Sequence, residues 1–296
     1  MKTFKFFYEV LEPVSHSFPL EQGEKRDNET ALRRFRILNS NNHLVHVPGI
    51  SSNQKRNIDR RLLAADLLEQ LEIDVNKLSF NAIYTLFKSG EIEKTDTDPI
   101  INVELRKKVR TLIPHISLFG GIVNTQKIES SVYVSNCYLL CSDLYPDDEH
   151  LYPADELVDW VRFTKHELKE IPEDTLVKHY EELIAKAKEK DNKDKNEEEK
   201  IIKSKNMIFN VEVIIPGATL VNEYNYMGNN DVELSCLARA FKLFAEKPYL
   251  GGKVAHNFGK VKPVMIEPKN VELDDKLYLD FIKSNKKEIV ELLMSL

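Results

Sequence analysis

Residues 250–261 read LGGKVAHNFGKV, with three glycines, two lysines and no carboxylate. Gly251, Gly252 and Gly259 remove the side chains that would hold a foreign backbone away. Lys253, His256, Asn257 and Lys260 put donors around the exposed amides, which suits phosphate oxygens. A second concentration of positive charge lies far upstream. From Lys25 to Arg61, nine basic residues (Lys25, Arg26, Arg33, Arg34, Arg36, Lys55, Arg56, Arg60, Arg61) stand against three acidic ones (Asp27, Glu29, Asp59), a local charge of +6. Two readings of the glycine loop are open: a surface that cradles phosphates, or a plain turn between a helix and a last strand.

The formal net charge of −6 argues against an anionic partner only if charge is spread evenly, and it is not. Acid gathers at Asp143–Glu149, Glu167–Glu199 and residues 267–296, so the chain can be negative outside and positive along one groove. With 42% apolar and 30% charged residues the composition is that of a folded globular protein. Cys137, Cys141 and Cys236 form no CxxC pair, so they are expected as reduced core residues, with no metal site and no cofactor. No apolar run approaches a membrane span, and MKTFKFFYEVLEPV lacks the features of a secretory signal. A cytoplasmic protein without membrane contact is expected.

The elements that must position these residues follow from pattern. Phe4–Leu11 is aromatic and β-branched and stops at Glu12–Pro13, which predicts an opening strand. A polar arm follows, in which ALRRFRIL (Ala31–Leu38) alternates and turns Arg33, Arg34 and Arg36 outward; we expect a protruding thumb over residues 15–46. Ser51 and Gln54 form a capping-box signature for a helix with Ile58, Leu62, Ala65, Leu68 and Leu71 on one face and Lys55, Arg56 and Arg60 on another. Cations in a first helical turn oppose the macrodipole by roughly 0.3–1 kcal/mol each, so their placement points to a bound anion, a solvated basic face being the other reading.

Helices near 76–89 and 99–113 make a helical insertion over 73–114, and Ser130–Cys141 reads as a strand. Residues 142–206 read as a second insertion, with a helix from about Glu173 that dissolves into the mixed-charge run Lys186–Lys200. Met207–Met227 predicts two strands about Pro216–Gly217, Asp231–Glu246 a helix, and Leu273–Leu296 a last helix. Without the insertions the order is strand, helix, strands, helix, strand. That is an α+β fold: a ferredoxin-like, RRM-like palm with an antiparallel sheet. The sheet aromatics of the usual base-stacking motif are missing, so RNA binding would rest on phosphate contacts and shape.

Three segments, VPGISSNQKRNIDRRLLAADLL (Val47–Leu68), ISLFGG (Ile116–Gly121), and PGATLVNEYNY with LGGKVAHNFGKV downstream, stand in a familiar order. They resemble the Cas-seven-type backbone subunits of CRISPR effector complexes, members of the RAMP superfamily whose usual forms run PxISGNxxRGxLRR, LFGG and GGxxxxGxGxV. The likeness is closest to the type IV form and more distant to the type III backbone proteins. Ser51–Ser52–Asn53 stands where the family usually has SGN, Arg56–Asn57 where it has RG, and Asn257–Phe258–Gly259 where Gly-aromatic-Gly is usual.

The resemblance implies a palm and thumb, with copies winding head to tail along a guide RNA (crRNA) in an antiviral ribonucleoprotein. Its partners would be the guide, a complementary target paired through it, further copies and other effector subunits. Carried over by position, Ser52, Asn53, Lys55, Arg56 and Arg60 would meet the guide backbone from the helix, and Gly251, Gly252, Lys253, His256, Asn257 and Phe258 from the late loop. His16, just after the first strand, and Arg33, Arg34 and Arg36 join them, with Arg162 and Lys165 from the insertion. Type III relatives cut target RNA with an aspartate in the loop after the first strand, and Asp27 is the aspartate of that region. No base or metal-ligand cluster stands beside it in sequence, so a binding protein rather than a nuclease is expected. The alternatives are a type III-like subunit that also cuts RNA, and a phosphate-loop enzyme acting on a small molecule. The second is weakened because the loop is neither GxxxxGK[ST] nor a strand-linked GxGxxG.

Overall fold

Phe4, Phe6, Tyr8 and Val10 alternate along β1 (Lys2–Val10) and are all buried, while Lys5, Phe7 and Glu9 point to the other face. The structure, a computed structural model, describes residues 1–17, 29–88, 102–123, 126–165, 207–268 and 273–296. They belong to two compact units, one of residues 1–19, 31–159 and 213–296, the other of residues 20–30 and 160–212.

After β1 come β2 (Glu29–Thr30), β3 (Arg34–Leu38), β4 (Leu44–Ile50) and the long α1 (Ser52–Leu71). The helical insertion holds α2 (Phe80–Phe87), α3 (Val103–Leu112) and α4 (Pro114–Phe119), and the short hairpin β5 (Gly121–Val123) and β6 (Gln126–Ile128) follows. Then come β7 (Val132–Val134), β8 (Cys137–Leu139), β9 (Val158–Lys165), β10 (Met207–Ile214) and β11 (Thr219–Tyr226). The chain closes with α5 (Asp231–Glu246), β12 (Val261–Glu267), α6 (Lys276–Ser284) and α7 (Lys286–Ser295).

In the first unit the sheet order is β12-β1-β11-β8-β4-β3, with β7 also on β11 and every pair antiparallel. With α1 between β1 and β8, and α5 between β11 and β12, this is the expected α+β ferredoxin-like arrangement. Strands β7 and β8 are one expected strand interrupted at Ser135–Asn136, where Ser135 N still donates to Glu223 O at 2.8 Å. Helices α1 and α5 cover one face. There Phe241 packs edge-on against Phe6 (4.7 Å between centroids) and Tyr224 (4.9 Å), and Arg239 of α5 reaches Asp66 of α1. In the second unit, β2, β10 and β9 form a three-stranded sheet, β2 running parallel to β10 with Glu29 opposite Asn210.

Several elements depart from the sequence reading. The β3–β4 hairpin forms, with a tie at its turn that the sequence did not announce: Asn39 Nδ2 donates to Asp143 O (3.1 Å), Ser40 N to Leu144 O (3.4 Å) and Asn41 Nδ2 to Asp147 Oδ1 (3.3 Å). The described part of the 142–206 insertion carries β9, which the sequence reading did not anticipate; the expected helix from Glu173 lies outside the described residues. The last helix breaks at Asn285, where one helix ends and the next begins. All three cysteines are free and buried, as expected.

Candidate nucleic-acid interface

The glycine-lysine loop is a closed element. At its neck Leu250 N donates to Gly259 O (2.8 Å) and Tyr249 bridges Lys260. The loop sits on the chain just after β1: Gly259 N donates to Pro13 O (2.8 Å) and Gly252 N to Ser15 O (2.7 Å). Gly251 has φ +82, and a Cβ there would lie 2.3 Å from the Ser15 carbonyl oxygen, so both conformation and approach require glycine. Lys253 and Asn257 also take left-handed backbone, φ 59 and 62, on either side of a single 3-10 turn. That turn leaves His256 and Asn257 exposed.

From Ser15 the path continues to the basic segment. Arg33 N donates to His16 O (2.7 Å), and Gly49 N donates to Arg33 O (3.1 Å). Two residues beyond Gly49, Ser51 caps α1 by accepting from Gln54 N (3.3 Å), and Ser52 N donates to Asn136 Oδ1 (2.8 Å). The glycine loop, His16, Arg33 and the start of α1 are thus joined at one end of the sheet by a line of main-chain hydrogen bonds. Along it Ser52 is half-buried and Asn53 exposed; on β3, Arg34 is half-buried and Arg36 exposed. His16 Nε2 is buried with no hydrogen-bond partner, and burial, with Arg33 nearby, pushes the imidazole down to about 4. A phosphate there would oppose both effects.

Three residues expected at this surface are not available to it. Lys55 is 1% exposed: its ammonium pairs with Asp59, lies 3.9 Å from the Phe244 ring centroid and 5.4 Å from that of Tyr224, and is a core residue. Arg60, also buried, donates to Phe119 O (2.9 Å) and Gly120 O (2.7 Å), and burial pushes it down to about 10. Phe258 is buried and offers no face for stacking. Arg56 is partly open but donates to Phe119 O at 2.5 Å.

The cations of the first helical turns therefore answer to carboxylate and carbonyl oxygens of the protein itself, which replaces the anion inferred from their placement. The same bonds explain why the α1 and LFGG segments occur together. Both guanidinium groups hold the carbonyl end of α4, and Gly120, at φ +72 with its Cβ position 2.8 Å from Ile128 O, makes the turn away from it. Arg162 is exposed on β9, in the second unit, and Lys165 ends that strand. Asp27 lies outside the described residues.

The structure adds residues that the sequence reading missed. Asn136 holds the start of α1; its signal was the polar pair Ser135–Asn136 inside an otherwise apolar strand. Glu233, in the first turn of α5, is buried and accepts from Ser117 Oγ (2.6 Å), Ser131 Oγ (2.7 Å) and Tyr226 OH (3.1 Å), pinning α4 to the sheet. His115 is fully buried beside Arg60. Among the described residues no group of His, Cys, Asp or Glu is placed to hold a metal ion, and no helix is long and apolar enough to cross a membrane.

No protein-family model matches the sequence, and no curated protein matches it. Among solved structures, the chain is similar to one from a "Type IV-B CRISPR Complex", with a TM-score of 0.53 and 16% identity over 91% of this chain and 92% of that one. At this identity the likeness is one of fold, and it runs over most of both chains.

Proposed function

We propose that the protein is a backbone subunit of a CRISPR-type ribonucleoprotein, a Cas-seven-type RAMP protein that binds the sugar-phosphate backbone of a guide RNA and repeats head to tail along it. The observation that carries this reading is the line of hydrogen bonds from Gly252 through Ser15, His16 and Arg33 to Gly49, which brings together two cation- and amide-rich segments distant in sequence. Backbone amides, lysine and arginine recognise phosphate without reading bases, which is what a guide of variable sequence requires. The fold likeness to a type IV-B complex component supports the setting.

In this reading the guide meets Ser52, Asn53, Arg33, Arg34 and Arg36 on one side and Gly251, Gly252, Lys253, His256 and Asn257 on the other. Arg162 and Lys165 are proposed as RNA contacts of the second unit taken by itself. The acidic remainder faces solvent, other subunits or the next copy. A contact surface that does not close on itself yields a helical filament whose length is set by the RNA. The subunit holds its guide without cutting the target.

Co-expression with a guide RNA tests this. A particle of many copies, with strong absorbance at 260 nm and regularly spaced nuclease protection, is expected. A monomer free of RNA that binds a nucleotide would favour the small-molecule enzyme instead. Cleavage of a complementary RNA by the parent but not by Asp27→Ala would establish the nuclease variant.

A further inference from the structure

The face of the sheet opposite α1 and α5 carries a groove of about 830 Å³ in the first unit. Phe7 of β1 and Val221 of β11, paired in register, lie among its lining residues. Tyr145, 38% exposed, lines it with the consecutive acids Asp147, Asp148 and Glu149, all exposed. Lys5, the one lysine among the lining residues, stands 3.6 Å from Glu223. Here the sheet face on which RNA-binding proteins of this topology stack bases is bordered by three carboxylates.

Like charge disfavours a phosphate backbone in this groove, while an apolar and aromatic lining beside carboxylates suits a cationic chain. Guanidinium and ammonium groups pair with the acids, lay their methylenes on Phe7 and Val221, and stack over Tyr145. We infer that this groove docks an extended lysine- and arginine-bearing segment of a partner protein. This assignment is separate from the RNA-binding reading and stands or falls apart from it.

The test is fluorescence anisotropy of a short labelled lysine-arginine peptide with the full-length protein, set beside the triple variant Asp147→Asn, Asp148→Asn, Glu149→Gln and beside Phe7→Ala. The parent is expected to bind with salt-sensitive affinity, and each variant to lose about tenfold or more. Single-stranded RNA affinity should not fall in the triple variant, which changes only exposed side chains and is the decisive arm if Phe7→Ala does not fold. No binding by the parent, or equal binding by parent and triple variant, overturns the proposal. Salt-sensitive self-association of the parent that the triple variant abolishes would also overturn it, by making a second copy the occupant.

Discussion

The amide of Gly252 donates to the carbonyl oxygen of Ser15 at 2.7 Å, so a loop near the end of the chain rests on the turn that follows its first strand. The loop is thereby fixed before any ligand arrives. Ordering it in advance removes an entropy cost that a mobile lysine-glycine loop would meet on binding.

Gly251→Ala should show how closely the cradle depends on that seat. The new Cβ would lie 2.3 Å from Ser15 O at a φ of +82. Strain of about 1–3 kcal/mol is expected, relieved by displacement of the loop. Calorimetry should show a modest fall in Tm and filter binding a loss of RNA affinity of about tenfold or more; unchanged affinity would separate the loop from the RNA.

Lys55→Ala should act on stability and not on RNA. It leaves Asp59, 0% exposed and also accepting from Tyr224 OH at 2.6 Å, as a buried charge without its cation. Breaking such a pair costs about 3–5 kcal/mol, and the double change Lys55→Met with Asp59→Asn should recover most of it. Urea unfolding measures both. A Lys55→Ala protein of parental stability with weakened RNA binding would return Lys55 to the interface.

Acid should destabilise the fold through His115. Burial, and then the charge of Arg60, hold its imidazole down to about 3, against about 6.5 in an unfolded chain. Between those values the unfolded chain binds a proton that the folded chain refuses. Stability therefore falls as pH drops below about 6.5, by up to ~1.4 kcal/mol per pH unit from this one residue. His115→Phe should flatten that part of the stability profile relative to the parent; an identical slope in the two proteins would show that His115 is not the group responsible.

His16 offers an independent pH signature. Folded, it is held down to about 4 by burial and Arg33, and a bound phosphate should raise it. RNA binding is then accompanied by proton uptake, so affinity should rise on acidification from neutrality while the fold persists. In His16→Asn that rise should shrink, and if it remains unchanged no phosphate sits beside His16.

Local signals were legible in the sequence where their partners were also local. Ser51 and Gln54 gave the start of α1, the aromatic and β-branched run before Glu12–Pro13 gave β1, and the glycines gave a turn, in which Gly251 and Gly259 take positive φ. Lys55 and Asp59, four apart on α1, were readable as a pair, but that the pair lies in the core depends on Phe244 and Tyr224, which arrive from distant elements. Arg56 and Arg60 look like a ligand surface for the same reason. Their acceptors are main-chain oxygens of Phe119 and Gly120, and a carbonyl has no letter in a sequence. The contacts of the hairpin's turn were not legible either, because they run from Asn39, Ser40 and Asn41 to a loop a hundred residues later.

The most direct measurement is the salt dependence of single-stranded RNA binding for the parent, Arg33→Gln, Lys253→Gln and the double variant. Each phosphate contact by a cation contributes about 0.7 to the slope of log K against log salt on a single strand. If both segments lie along one strand of RNA, as proposed, each single change should lower the slope by about that amount and the double change by about twice as much. A slope that one of the two changes leaves at the parent value would mean that the basic segment and the glycine loop do not share a ligand.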